Sequence, residues 1–467
     1  MKYAGIIIAS GLLALGVFFT ACDPIQEEVS YDGNLQLTFS LDTLKFDTVL
    51  SSVGSVTRQF KIRNQNENAI RIERISLGKG TDSEYSIIVN GASGESFENE
   101  IIYGNDSILV LVEVFIDPLD QDIPYLVKDS VVMNYNGNSQ EIKLVAWGQD
   151  ANFIDGEVID CDEIWDSPKP YVIYNYAIVD TLCTLTVEPG TRILIDNGAG
   201  LYVKGSLRIE GEAENKVIIR NTRFDAGYNI APGQWDAIYF LEGSFNSLVD
   251  HAEIRNGQIG IRVGNPDLDN LSDLTISNTS IAHMSVSGVR AFTSDLEMIN
   301  TEVYNCQEEL IGLVAGGSYL INHSTFSNYP NSFSRDQSSV IISNFIELQD
   351  GSLLNGDLEF SMVNSIVWGD MDEELHIAIS EQSNAQISVT NNILKSANSD
   401  LELADNLISQ ESNYPGFYSP LSFNYQIDSL SVARDGTNGS LLGFDLIGTT
   451  RDAIPDIGAY ERKDSIP

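Results

Sequence analysis

The chain is 467 residues long, enough for two or three domains with a substantial core, and it carries 26 Lys and Arg against 67 Asp and Glu, a formal net charge of −41. No basic cluster interrupts that acidic excess, so nucleic-acid backbones and anionic lipid surfaces would be repelled. Polyanionic glycans are disfavoured on the same ground unless Ca²⁺ or a local basic groove intervenes.

Residues 1–22 read as an export signal: Lys2 supplies the positive region, Ile6 to Phe19 the apolar run, and small residues precede a single cysteine in Phe19-Thr20-Ala21-Cys22. This pattern resembles a bacterial lipoprotein signal, which implies that Cys22 is acylated and becomes the first residue of the mature chain. The alternative is an ordinary cleaved signal or an uncleaved anchor. The apolar run is short of the roughly 20 residues a spanning helix needs, so acyl chains would do the anchoring. Residues 23–30 are a linker in which Asp23, Glu27 and Glu28 loosely resemble the surface-export signal of Bacteroidota lipoproteins. That resemblance implies an outer-membrane partner and display on the cell surface rather than the periplasmic face.

Residues 31–150 alternate apolar and polar side chains in short runs separated by turn residues, as in Leu35 to Phe39, Arg58 to Ile62, Ile70 to Ile75, Ile108 to Val114 and Ile142 to Ala146. This predicts a β-sandwich. Phe46 to Val49, Arg58 to Asn64 and Ile70 to Leu77 resemble immunoglobulin-like modules of bacterial surface proteins, which implies a spacer or binding stalk and assigns no active residue.

From residue 151 to 462 internal repeats dominate. A unit of Asn or His followed three residues later by an apolar residue starts at Asn221, His251, Asn278, Asn300, His323, Asn364 and Asn391, with steps of 30, 27, 22, 23, 41 and 27. A base coil of about 22 residues with insertions accounts for most steps, and the long one is expected to hide a coil near Val340 to Phe345. Such coils bury their apolar side chains only by stacking, which predicts a right-handed parallel β-helix and an all-β chain. Asn at the turns tolerates left-handed backbone and can ladder to its equivalent in the next coil. The Asn and His positions are therefore read as structural, and His251 and His323 are not assigned as ligands. Residues 463–467 form a tail.

Cys161 and Cys183 lie 22 positions apart, close to one coil, which would stack them about 4.8 Å from each other, within reach of a bridge. The exported compartment permits a disulfide; the alternative is two small buried residues. Cys306 has no evident partner.

Further motifs resemble a known family. Trp165, Pro170 to Ile173, Leu185 to Thr191, Gly205 to Leu207 and Gly233-Gln234-Trp235 are similar to the opening of Bacteroidota right-handed β-helix lipoproteins. Asn364 to Gly369, Phe423 to Ile427 and Asp456-Ile457-Gly458-Ala459-Tyr460-Glu461 resemble the closing segment of pectin-lyase-like surface proteins, which implies that the last stretch caps the solenoid.

No residue is assigned a catalytic role, and neither a metal site nor a cofactor is assigned. Lyases on this fold need a basic proton abstractor and hydrolases need clustered carboxylates. Lys and Arg are sparse here; a groove across coils from Asp250, His251, Arg255 and Arg262 is conceivable, because residues one coil apart become neighbours. Asp267, Asp269, Asn270 and Asp273 offer oxygen ligands at short spacing without the full Ca²⁺-loop pattern, and read first as a polar loop. The triplet Asp, Ser or Thr, apolar recurs with its hydroxyl at Thr43, Thr48, Ser107, Ser130, Thr181, Ser429 and Ser465. It resembles the O-glycosylation acceptor of exported Bacteroidota proteins, although Asp before a strand entry also arises by chance. The reading is a lipid-anchored envelope protein acting as a non-catalytic platform for a glycan or protein partner. The alternatives are a polysaccharide lyase or glycoside hydrolase, and a purely structural envelope component.

Overall fold

A computed structural model describes residues 28–166, 168–264, 272–329, 333–396, 405–408, 413–437 and 442–462. Cys22, Asp267, Asp269, Asn270 and Ser465 lie outside the described residues. The chain is all-β and divides into two compact units, Met1–Asp150 and Ala151–Pro467.

The first unit is a sandwich of a six-stranded and a five-stranded sheet. Alternation drives it: in Ser107–Val114 the residues Ile108, Val110, Val112 and Val114 are buried and their neighbours are not. They meet Val131, Met133 and Leu144 of the facing sheet in one core. The longest hairpin joins Tyr125–Tyr135 to Asn138–Gln149 through Asn136 and Gly137, with φ of 46° and 76°. Both central residues are left-handed, as a two-residue turn matching the strand twist demands.

The second unit is a right-handed parallel β-helix built on a 25-stranded sheet. Its strands stack into three walls. The first includes Arg192–Ile195, Val217–Asn221, Ala252–Arg255, Ser280–Met284, Glu302–Cys306, Thr325–Asn328 and Ile366–Gly369. The second includes Gly200–Val203, Ile238–Phe240, Ile259–Gly264, the front halves of Ser287–Ile299 and Ile311–Asn322, Val340–Ser343 and Leu375–Ala378. The third includes Thr184–Val187, Ser206–Glu210, Ser247–Asp250, Leu274–Ser277 and Leu358–Val363. Inside the first wall Ile193, Ile219, Ile254, Ile281, Val303, Phe326, Val367 and Leu394 stand in register, all fully buried. One coil could not bury such a row alone; stacking removes each side chain from water for roughly 2 kcal/mol apiece.

At the corner entering the first wall, His251, Asn278, Asn300, His323, Asn364 and Asn391 all have left-handed φ between 47° and 56°. Asn300 Nδ2 donates to Asn278 Oδ1 at 2.7 Å, and Asn391 Nδ2 to Asn364 Oδ1 at 2.7 Å. Burial lowers the imidazole of His323 to about 3, leaving it neutral. Two details of the repeat differ from the sequence reading. The coil partner of His251 is Lys216, because Val217 pairs with Ala252; Asn221 instead falls at the far end of the wall, opposite Asn256. There a second ladder runs through His283, Asn305 and Asn328, with Asn305 Nδ2 donating to His283 Nδ1 at 2.5 Å. The step of 41 hides no coil: Thr325 pairs directly with Ile366, and Val340–Ser343 belongs to the second wall of the same turn.

The C-terminal segment is bound along the outside of the first wall. Gly458 N donates to Asn364 O, Ala459 N to Thr325 Oγ1, Tyr460 Oη to Glu302 Oε1 and Arg451 Nη2 to Asn300 Oδ1, each at 2.9 to 3.0 Å. Lys216 Nζ reaches Leu446 O at 3.3 Å and Asn391 Nδ2 reaches Gly436 O at 3.1 Å. Gly458 is needed for the approach: with φ of 99°, a Cβ there would come within 2.8 Å of Ile366 and Thr325. Phe417, Tyr425, Ile427 and Ile457 bury Ile366, Trp368 and Ile393 of the wall. The Asp456 to Glu461 stretch, read as an end cap, thus meets a lateral wall through Gly458, Ala459 and Tyr460, because that wall carries outward apolar residues that require cover.

Candidate functional site

With the first wall covered by the C-terminal segment, the second offers the chemistry. Alternation within each strand decides what faces out. Leu201 and Val203 are buried, which turns Tyr202 outward; Ile238 and Phe240 do the same for Tyr239, Ile261 and Val263 for Arg262, and Val289 and Ala291 for Arg290 and Phe292. Register then aligns Ile178, Tyr202, Tyr239, Arg262, Arg290, Gly312, Ile341 and His376 in one outward row. Tyr202 to Arg290 spans three coil steps, roughly 14 Å at the interstrand spacing.

The rings of Tyr202 and Tyr239 lie parallel within 3°, centroids 5.0 Å apart. The Arg262 guanidinium sits 5.6 Å from the Tyr239 centroid and 5.3 Å from that of Phe292. Ring, ring, cation and ring therefore form one stack, in which the quadrupole of each flanking ring favours the charge. Burial raises both phenols, and the Asp236 carboxylate beside them raises them further. Solvent consequently meets ring edges, hydroxyls and the guanidinium fork rather than open ring faces.

The two arginines of the row differ. Arg290 is spent within the protein, its Nε donating to Glu309 Oε1 at 2.7 Å and its Nη2 to Glu308 Oε2 at 3.2 Å. Arg262 is exposed, and its contacts among the described residues are the two rings, with no carboxylate bonded to it.

The groove conceived from Asp250, His251, Arg255 and Arg262 is not assembled. Arg255 is on the first wall, paired with Glu253 at 2.6 Å. Asp250 ends a third-wall strand, where it accepts from Ser277 Oγ at 2.7 Å and Asn278 Nδ2 at 2.8 Å. His251 occupies the turn beside it at 3.0 Å, and Arg262 faces out from the second wall. Asp273 is buried, accepting the Asp295 amide at 2.8 Å. Among the described residues no three His, Cys, Asp or Glu side chains gather closely enough to hold a metal ion. A separate cleft of about 650 Å³ on the third wall is lined by Asp295, Ser318, Asp357 and Glu359.

Cys161 and Cys183 are joined in a disulfide, Cα atoms 4.7 Å apart; Cys306 is free and buried. Of the described triplet hydroxyls, Thr181 and Ser429 are exposed, while Thr43, Thr48, Ser107 and Ser130 are half-buried at strands. The triplet Asp has a local role: Asp106, Asp129 and Asp180 each accept the amide of the next residue at 2.7 to 2.8 Å, the self-capping habit of Asp at turns.

Tyr202, Tyr239, Phe292 and Asp236 escaped the sequence reading. The signal was there in the strand alternation, but coil offsets of 37, 23 and 28 along the row prevent adjacency from being counted off the sequence.

No family model matches the chain, and no curated protein matches it. Among solved structures it is similar to the catalytic unit of a GH87 α-1,3-glucanase from Streptomyces thermodiastaticus, at 12% identity and TM-score 0.32 over 72% of this chain and 73% of that one. It is also similar to the Agl-KA catalytic domain, at 10% identity and TM-score 0.23 over 74% and 80%. A family 123 glycoside hydrolase from Clostridium perfringens aligns at 10% identity and TM-score 0.18 over 27% of this chain, which spans about a quarter (26%) of that enzyme's length. At these scores the likenesses assign neither activity nor substrate.

Proposed function

We propose that this protein is an envelope lipoprotein, anchored to the outer membrane through Cys22 and displayed at the cell surface, whose β-helix is a non-catalytic binding platform for a glycan or protein partner. The observation that carries the reading is the second wall, where Tyr202, Tyr239, Arg262 and Phe292 form a continuous stack with a solvent-facing cation. A rigid row with a fixed repeat suits an extended partner lying along the solenoid axis, since each coil presents its group at a set spacing. The groups are held in place before binding, so little side-chain entropy is lost when the partner arrives.

A second reading, glycoside hydrolysis, rests on the third-wall cleft with Asp295, Asp357 and Glu359, because such enzymes use paired carboxylates. One experiment separates the two. The soluble protein from Asp23 onward, without the acylated Cys22, is applied to a glycan array with and without Ca²⁺, reading retention together with release of reducing ends or unsaturated products. Retention without product supports the platform; product release overturns it in favour of a hydrolase or lyase. Silence in both channels moves the weight to a structural or protein-assembly role.

A further inference from the structure

We infer that the second wall recognises a sparsely acidic glycan, one carrying an isolated carboxylate or sulfate ester among neutral sugars, with Arg262 as the residue that reads the anion. This rests on the platform reading above. The guanidinium lies between Tyr239 and Phe292, 5.6 and 5.3 Å from their centroids, and is exposed to solvent; a guanidinium fork free of carboxylate partners suits bidentate contact with a carboxylate or a sulfate ester. The flanking rings favour the charge through their quadrupoles while leaving it accessible to an incoming anion.

The neighbouring groups argue for a saccharide as the carrier. Asp236 and the phenols of Tyr202 and Tyr239 place acceptors and hydroxyl donors beside the cation. Sugar hydroxyls can use both kinds of group, whereas a second carboxylate close by would meet Asp236 and be repelled.

Charge sets the density of anions. The next arginine in the row, Arg290, is already neutralised by Glu308 and Glu309, and the whole chain carries −41. A polymer charged on every sugar would bring one contact with Arg262 and many repulsions. A single anion among neutral units keeps the contact and avoids the rest.

The test compares the wild-type soluble protein from Asp23 onward with R262Q and R262K on an array holding neutral, singly acidic and fully acidic oligosaccharides of matched length, together with acidic peptides, in moderate salt. Thermal melting confirms that each variant is folded, as expected for an exposed side chain. The expected result is preferential retention of singly acidic oligosaccharides, lowered about tenfold or more by R262Q, the size of a lost hydrogen bond to a charged group, and partly restored in R262K. Binding to neutral glycans or to acidic peptides, or acidic-glycan binding indifferent to R262Q, overturns this inference while leaving the platform reading intact. Preference for the fully acidic series overturns the sparse-charge argument. Absence of retention on every probe sinks the inference and the glycan form of the platform reading together.

Discussion

Tyr460 donates its phenolic hydrogen to Glu302 at 2.9 Å, linking the C-terminal segment to a carboxyl that is otherwise buried on the first wall. Glu302 also accepts weakly from Ser280 Oγ at 3.4 Å, and Lys216 acts on it only at a distance. No described cation forms an ion pair with it. The contact therefore holds the segment down through a group whose charged state is out of place.

Burial raises the Glu302 carboxyl from its ordinary 4.5 to about 7, against the lowering pull of the Tyr460 and Ser280 hydrogen bonds. The folded chain thus holds this proton more tightly than the unfolded chain. Its contribution to stability is complete below about 4.5 and is lost as pH rises through about 7. A shift of that size corresponds to about 3 kcal/mol at most. Thermal melts from pH 5 to 8.5 should show a decline for wild type that is shallower in E302Q, which stays neutral and keeps an acceptor for Tyr460. Other carboxylates titrate in both proteins, so the difference between the two curves is the readout; parallel curves would remove Glu302 as the cause.

Asn364 sits in the ladder at the wall entrance with φ of 52°, its Oδ1 accepting from Asn391 Nδ2 at 2.7 Å while its carbonyl takes the Gly458 amide. N364A loses the bond from Asn391 and the polar side chain that lets asparagine tolerate left-handed backbone. The expected loss is about 2 to 4 kcal/mol. N364G restores the conformational freedom and should recover about 1 kcal/mol of it. Chemical denaturation of the three proteins checks the order; equal stability of the Ala and Gly variants would remove the backbone share of the argument.

The β-helix was legible because its interior repeats: Ile254, Ile281 and Val303 each follow their turn residue by three positions. The phase slipped at Asn221 because asparagine serves both ends of the first wall, and only pairing separates Asn221 with Asn256 from His251 with Lys216. The long step between His323 and Asn364 looked like a missing coil because an insertion within one turn and an extra turn add similar numbers of residues. The second wall was less legible still. Arg262 reads as one isolated basic residue, and the rings that flank it are separated from it by insertions of unequal length that no local pattern records.

The Cys161–Cys183 bridge ties the first two coils of the solenoid, where stacking is one-sided. The strand Asn152–Ile159 pairs only with Tyr171–Val179 in its wall, and Ile164 and Leu182 remain exposed at 56% and 79%. In a solenoid each coil is held by its neighbours, so a terminal coil is the first to open. Closing a loop of 22 residues restricts the unfolded chain by about 3 kcal/mol in the loop-entropy account, applied where the packing is weakest. The C161S/C183S double variant should therefore retain its central coils yet expose residues 152–187 early, seen as faster amide exchange and proteolytic cleavage confined to that stretch. Uniform loss of protection across the solenoid would instead show that the whole β-helix melts as one unit, and that the bridge stabilises all coils equally.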